Sequence, residues 1–219
     1  FNSPAPKQNP STQRNALASH KVKDKNPAGT KSPKIRSLQM KKASSSYQSV
    51  LIRKVPHLKQ KPDFCGEACV AMYMRKLGYK VDQDYVFDQM KVSPLLGRGA
   101  VSREMVLGLK RIGFNTGKAW HWISAAKARD ELETRWSDLH KDLLQKIPSI
   151  VCMRYDSSQN TTEHFRLILG YDSKKDEVLY HEPAERIGAY LRMKRKRFLQ
   201  LWPLKYQKKK WLVVRMRLK

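Results

Sequence analysis

The sequence has few cysteines, few acidic residues and no long apolar run, and each shortage excludes a class of protein. Its 219 residues include only three cysteines, too few for a disulfide scaffold, and the odd number leaves at least one thiol free. No stretch approaches the roughly 18 apolar residues of a membrane helix, so we expect no transmembrane segment. Glycine-rich phosphate loops are also absent, so neither common nucleotide-binding motif applies.

Acidic residues are not only scarce but unevenly distributed. The chain contains 45 Lys and Arg against 19 Asp and Glu, a formal charge of +26. Residues 1–46 hold ten basic residues and one acid, and residues 192–219 hold twelve basic residues and no acid. We expect these basic ends to favour polyanionic partners such as nucleic acid or an anionic surface, although charge alone specifies no chemistry.

The order of predicted elements indicates one folded domain behind a tail. Residues 1–46 are rich in Pro, Ser, Asn and Lys without apolar periodicity, which predicts a disordered tail, and residues 47–219 form the predicted domain. Helices are predicted at 64–77, 102–113 and 124–146, strands at 149–155, 164–172 and 177–183, then a basic helix at 189–202 and a strand at 210–218. Helices followed by a mostly antiparallel sheet are typical of an α+β domain.

The stretch KQKPDFCGEACVAM, residues 59–72, has the features of a reactive thiol. Asp63 is the expected helix cap, which places Cys65 in the first turn, where free backbone N–H groups and the helix dipole favour a thiolate. Gly66 leaves this sulfur approachable. Cys69 lies one turn deeper, where a thiol behaves as a small hydrophobic group. Of the two cysteines, Cys65 is the one placed for catalysis.

A thiol that attacks a carbonyl also needs a general base and a donor for the developing oxyanion. Gln60 lies in the loop upstream of Cys65, and its carboxamide is a neutral donor. His164 opens an apolar strand, where its side chain can project from the sheet edge into a cleft. Glu182 ends the next strand, where its carboxylate is expected beside His164 to orient the imidazole.

The order of a Gln, then CGEACVAM, then HFRLILGYD, then an acid before Pro resembles papain-like cysteine peptidases of the bacteriocin-processing type, family thirty-nine of the cysteine peptidases, and their stand-alone relatives. The resemblance covers residues 54–204. It implies a papain-like fold in which Cys65 is the nucleophile, His164 the base, Glu182 the orienting acid and Gln60 the oxyanion donor.

Two departures from the family pattern limit what the resemblance implies. The family's acid is usually Asp, so the longer Glu182 must approach from further back. Bacteriocin-processing enzymes are normally fused to a membrane transporter with an ATPase, and this sequence contains neither. The resemblance therefore implies a stand-alone cysteine peptidase or amidase that works through a thioester. We expect a peptide or protein substrate, no cofactor or metal, and a monomer.

Other interpretations stay open from the sequence. Cys65 can be an ordinary core cysteine, as we expect for Cys69 and Cys152. A zinc site of Cys65, Cys69, His164 and His181 is allowed by the C-x3-C spacing, but structural zinc usually uses two compact ligand pairs. The alternative function is an inactive peptidase-like module that binds polyanions through its basic ends.

Three further expectations concern the acid, the aromatic residues and the location. Glu163, Asp172 and Glu185 compete with Glu182 for the role of orienting acid. The aromatic segment WHW, residues 120–122, is expected to pack in the core rather than to line a groove. The basic tail and the absence of an initial Met favour a secreted or periplasmic bacterial protein over a cytoplasmic one.

Overall fold

A computed structural model describes residues 47–159 and 161–219, so the predicted tail at 1–46 lies outside the described residues. In the described ranges, most helices precede a sheet whose strands pair antiparallel, which confirms the α+β class. Within these ranges, no helix combines the length and the apolar character needed to cross a bilayer.

The helices of the described residues lie mainly in the first half of the chain. They are α1 (Cys65–Lys76), α2 (Gln83–Met90), α3 (Ser102–Arg111), α4 (Ala128–Leu144) and α5 (Arg195–Leu201). Short 3-10 helices at Pro94–Leu96 and Ala125–Lys127 precede α3 and α4.

The strands form one sheet in the described part of the chain. They are β1 (Val50–Leu51), β2 (Trp120–Ser124), β3 (Ser149–Arg154), β4 (Glu163–Asp172), β5 (Glu177–His181), β6 (Leu191–Lys194) and β7 (Lys210–Arg217). The strand order is β2-β7-β3-β4-β5-β6, and β1 also pairs with β4. Every residue of β4 from His164 to Tyr171 is buried, so the predicted base stands at the entrance of the central strand.

Close packing holds the first turn of α1 against β4. Every residue from Gly66 to Met74 is buried, as expected for a helix that is enclosed by the core. A Cβ atom at Gly66 would lie 2.9 Å from Met105 Sδ and 3.2 Å from Phe165 Cδ2. Because glycine has no side chain, α1 can approach α3 and β4 this closely. This approach brings Cys65 next to the beginning of β4.

Several predicted elements differ from the structure. Asp63 does not cap α1: Phe64 is the cap residue without a side-chain hydrogen bond, and Asp63 adopts a φ of 61°. Helix α2 and strand β2 were not predicted. The predicted basic helix at 189–202 is split, because residues of β6 pair with β5 before α5 begins. Tertiary pairing has overridden local helical propensity there.

The aromatic segment at the end of the helical half also differs from expectation. It forms β2, which pairs with β7. Trp120 packs against the core, as predicted, but the Trp122 side chain is 53% exposed, so the packing prediction is wrong for Trp122. The two tryptophans are two residues apart and therefore share a face of β2, so alternation does not separate them. Trp120 has a partner in α3, since its Nε1 donates to Ser102 Oγ at 3.2 Å.

Candidate active site

Cys65 is the first residue of α1 and lines a cavity of about 620 Å³. Gln60 and His164 line the same cavity, so the structure brings these three predicted site residues to one place. Cys69 and Cys152 are buried, as predicted, and all three cysteines are free thiols. Cys152 nevertheless touches the cavity from the β3 side.

The Cys65 thiol does not have the low pKa that the helix start predicts. Its pKa is raised to about 11, chiefly by burial, and the nearby charge of Glu67 contributes to the increase. Backbone N–H groups of Phe165, Gly66 and Cys65 itself lower the pKa, but they only partly offset the burial. The prediction of a favoured thiolate is therefore wrong for the free protein. Cys65 therefore rests as a thiol, so any nucleophilic role would require a base to remove its proton.

His164 is oriented by Glu182, the acid predicted for this role. The imidazole Nε2 of His164 forms a short hydrogen bond with Glu182 Oε1. Glu182 follows the last residue of β5, and its Oε1 also accepts a hydrogen bond from Ala184 N at 3.1 Å. Both side chains are buried, with relative exposures of 6% for His164 and 3% for Glu182. Since Nε2 is occupied by the carboxylate, Nδ1 is the ring nitrogen that remains for another partner.

The three competing acids have other partners. Glu163 Oε1 accepts a hydrogen bond from the Tyr206 hydroxyl. Asp172 forms an ion pair with Arg192 at 2.9 Å. Glu185 accepts a hydrogen bond from a tyrosine hydroxyl at 3.2 Å. Of the acids considered, Glu182 is the one that the structure places on His164.

Arg166 is a residue of the candidate site that sequence reasoning missed. Its Nε donates to Glu182 Oε2 at 2.6 Å, and its two terminal nitrogens donate to the carbonyls of Arg154 at 3.2 Å and Tyr155 at 3.0 Å. Burial alone would raise the pKa of Glu182, but the hydrogen bond from His164 and the charge of Arg166 lower it overall. The signal was present in the sequence, since His164 and Arg166 are two apart on one strand and share a face.

Tyr155 covers the buried charges of this network. Its ring centroid lies 5.2 Å from that of His164, with an interplanar angle of 86°, and 5.3 Å from Arg166 Cζ. The first contact is an edge-to-face packing, and the second is within the range of a cation–π interaction. Tyr155 thus helps to shield the ion pair of Arg166 and Glu182 from water.

Gln60 is held by its backbone and leaves its side chain for the cavity. The Gln60 N–H donates to Pro183 O at 2.8 Å, which ties the loop before α1 to the turn after Glu182. No hydrogen bond to another described residue engages the Gln60 side chain, and its buried Oε1 has no partner among these residues. Its carboxamide is therefore available to a bound group.

A second glutamine, Gln83, was also missed and fixes the loop around Gln60. Lys61 N donates to Gln83 Oε1 at 2.8 Å, and Gln83 Nε2 donates to Lys59 O at 2.9 Å. These two bonds clamp the residues on either side of Gln60 to the first turn of α2. Since α2 itself was not predicted, the sequence carried no signal for this clamp.

The proposed zinc set is not assembled in the structure. The two ring nitrogens of His181 bond to Val55 O at 3.0 Å and to Tyr190 N at 2.9 Å, so this histidine fixes β5 to neighbouring loops. In the described ranges, no three His, Cys, Asp or Glu side chains are grouped to hold a metal ion.

Comparisons with known proteins give the same family as the sequence resemblance. The model of the Peptidase_C39 like family matches residues 52–209. The peptidase domain of Streptococcus ComA, a bi-functional ABC transporter involved in a quorum sensing pathway, is 18% identical, with a TM-score of 0.46 over 74% of this chain and 98% of that chain. A double glycine motif protease from an AMS/PCAT transporter, solved with its leader peptide, is 16% identical, with a TM-score of 0.45 over 78% and 99%. No curated protein matches the chain.

The fold and the family model define a protein with a cysteine peptidase-like fold. More particularly, the chain belongs to the Peptidase_C39 like family, since the match spans most of its length. The resemblance stated from the sequence is confirmed.

Proposed function

We propose that the protein is a thiol-dependent hydrolase, a cysteine peptidase that cleaves a peptide or amide bond. The observation that supports this most directly is the arrangement of one cavity: Cys65 and His164 line it, and the buried carboxylate of Glu182 holds His164 from behind. A nucleophile, a base and a group that orients the base are the parts that such chemistry needs.

The first step of the proposed reaction is the attack of Cys65 Sγ on the substrate carbonyl carbon. His164 Nδ1 accepts the thiol proton as the C–S bond forms, which is required because the thiol has a pKa of about 11. The carbonyl oxygen becomes an oxyanion, and the Gln60 carboxamide together with a backbone N–H donates to it. His164 then returns the proton to the leaving amine, the C–N bond breaks, and a thioester remains on Cys65.

The second step releases the acyl product. His164 removes a proton from water, the hydroxide attacks the thioester carbon, and the C–S bond breaks. The sulfur recovers the proton, and a carboxylic acid leaves. In both steps the imidazole becomes transiently positive, and Glu182 stabilises that charge. Arg166 keeps Glu182 ionised and fixed in position, so it acts as a positioning residue through Glu182.

The test compares hydrolysis with covalent trapping. A peptide mixture incubated with the full chain is analysed by mass spectrometry, and a peptidyl acyloxymethyl ketone probe is used to label the thiol. We expect new peptide ends and labelling of Cys65, with both lost in Cys65→Ala and labelling lost in His164→Ala. Cys69→Ala is the matched control, since its buried thiol takes no part in the scheme. Unchanged hydrolysis in Cys65→Ala would refute the proposal.

A second candidate function is polyanion binding by the basic C-terminal segment. Residues 192–219 contain no acid, and Lys205 and residues 208–210 are exposed. Such a basic surface attracts phosphates and other anions through charge and counterion release. The two functions are compatible, because the basic segment would localise an enzyme without entering its reaction.

A further inference from the structure

One end of the cavity has an apolar wall built on β3 and β7. Cys152 and Val214 are opposite each other in the two strands, with relative exposures of 4% and 1%. Leu204 and Leu212 extend this wall and exchange two backbone hydrogen bonds of 2.8 and 2.9 Å. Strand pairing therefore fixes the wall, which offers a bound side chain an apolar surface.

Glu163, the residue before the proposed base His164, places a carboxylate next to this wall. Glu163 lines the cavity, and its Oε1 accepts a hydrogen bond from the Tyr206 hydroxyl. Its Oε2 lies 3.8 Å from Cys152 Sγ, which ties the carboxylate to the apolar wall. Glu163 forms no ion pair with any Lys or Arg of the described ranges, so its charge is not neutralised there.

The charge balance of the cavity is the reverse of that of the chain. Among the described residues that line it, Arg98 is the one cation, and its guanidinium is held by Glu104 at 2.7 and 3.0 Å. Asp63 is a second lining carboxylate without an ion pair in the described ranges. The cavity is therefore locally acidic in a protein whose formal charge is +26.

A side chain with an apolar stem and a cationic end matches this surface. Lys and Arg bury their methylene groups on apolar surface and place the charge at the tip. A carboxylate oxygen has two lone pairs, so Glu163 can accept from a cation while it keeps its hydrogen bond from Tyr206. Hydrogen bonds between charged partners are about twice as strong as neutral ones. An aliphatic side chain would pack on the apolar wall but would make no hydrogen bond or ion pair with the carboxylate.

From this arrangement we infer that Glu163 forms a specificity subsite for a single lysine or arginine side chain of the peptide substrate, close to the scissile bond. The inference deepens the proposed function and rests on it for the identity of the ligand as a peptide. The overall positive charge opposes highly basic peptides, so the substrate is one cationic residue within a neutral or acidic segment.

Binding to an inactive variant tests the subsite without relying on turnover. Short fluorescent peptides that differ only by Lys, Arg, norleucine or Glu at one scanned position are titrated onto Cys65→Ala. At one position, we expect Lys and Arg peptides to bind about tenfold more tightly than the norleucine peptide. In the Cys65→Ala, Glu163→Gln double variant, we expect the Lys peptide to weaken to the level of the norleucine peptide.

The matched control is Asp88→Asn in the Cys65→Ala background, which removes an exposed carboxylate of α2 and should leave the preference intact. Equal affinity for Lys and norleucine peptides at every position, or a preference that survives Glu163→Gln, would overturn the inference. Hydrolysis of the same peptides by the unmodified chain is measured separately. Binding preference without hydrolysis refutes the proposed function alone, and hydrolysis without preference refutes the subsite alone.

Discussion

The carboxylate that orients His164 is shared with a buried guanidinium: Arg166 Nε donates to Glu182 Oε2 at 2.6 Å, while Oε1 bonds the imidazole. Glutamate in place of the family's usual aspartate makes this sharing understandable. The carboxylate reaches two residues of β4 at once, and the extra methylene lets it do so from the loop after β5. The proposed dyad of histidine and acid is thus extended to a third buried residue.

Replacing Arg166 with Met should shift the acid limb of kcat/KM to higher pH. The pKa of Glu182 is held low overall, against burial, by its hydrogen bond with His164 and by the charge of Arg166. Without that charge the pKa rises, so Glu182 becomes protonated at a higher pH and loses its hold on the imidazolium. Leaving Glu182 without its buried partner should also cost about 3 to 5 kcal/mol of stability.

The comparison for this variant is Arg166→Lys, which keeps the charge but loses the planar set of donors. Its acid limb should stay near that of the unmodified chain, although activity and stability fall. The pH profiles of both variants are measured with one peptide, and urea unfolding gives the stabilities. A loss of activity in Arg166→Met with an unmoved acid limb would show that Arg166 acts only on the fold.

Iodoacetamide should alkylate Cys65 of the substrate-free protein more slowly at neutral pH than it alkylates the amino acid cysteine in solution. Burial raises the pKa of this thiol to about 11, against about 8.5 for an ordinary thiol. Because the thiolate is the reactive form, the alkylation rate should keep rising with pH after the rate of free cysteine has levelled off. Peptide mapping by mass spectrometry follows each thiol, and buried Cys69 serves as the internal control. The prediction is contradicted if the midpoint of the Cys65 rate–pH curve lies at or below the midpoint measured for cysteine in solution.

Gln60→Ala should reduce kcat with little change in stability. The side chain makes no hydrogen bond within the described residues, so its removal leaves the fold intact. Loss of one oxyanion donor typically lowers kcat by about 100-fold or more. By contrast, Gln83→Ala removes two hydrogen bonds beside Gln60 and should lower stability by about 1 to 2 kcal/mol, with a smaller loss of kcat. Full kcat in Gln60→Ala would remove this residue from the mechanism.

Sequence order predicted the parts of the site that depend on local signals. Short motifs indicate Cys65 at a helix start, His164 at a strand start and Glu182 at a strand end. The fold class followed from the periodicity of apolar residues. The low thiolate pKa did not follow, because burial is a property of the packed structure. Helix dipoles and backbone N–H groups act on Cys65 as expected, but desolvation outweighs them.

The features that sequence reasoning missed depend on contacts between distant residues. The spacing of Arg166 two residues after His164 indicates a shared face, but its partners lie in the loop after β5 and around the end of β3, and the local sequence does not identify them. Strand β2 exists because β7 pairs with it, although the two are about ninety positions apart. Long-range pairing overrides local propensity in such cases, so a pattern of neighbouring residues cannot reveal them.

Gly99→Ala should damage the cavity wall next to Cys65. A Cβ atom at Gly99 would lie 2.1 Å from the carbonyl oxygen of Asp63 and 3.1 Å from Glu67 Oε2, so the loop must move away from α1. We expect a loss of about 1 to 3 kcal/mol in unfolding free energy and a lower kcat/KM. Gly97→Asn is the control, since Gly97 has a φ of 60°, which Asn tolerates, and open space around it. Equal stability of the two variants would contradict the prediction.

Polyanion binding by the full chain should weaken steeply with salt and depend on residues 208–210. Each phosphate neutralised on a single strand contributes about −0.7 to the slope of log affinity against log salt, so replacing these three lysines with Gln should flatten the slope if they contact phosphates. Replacing three exposed lysines of the helical half (Lys76, Lys80 and Lys110) is the matched control, with the same loss of charge. Fluorescence anisotropy with a single-stranded oligonucleotide gives the slopes. If both triple variants flatten the slope equally, the attraction comes from net charge and not from a surface built by the C-terminal segment. The second candidate function would then lose its structural basis.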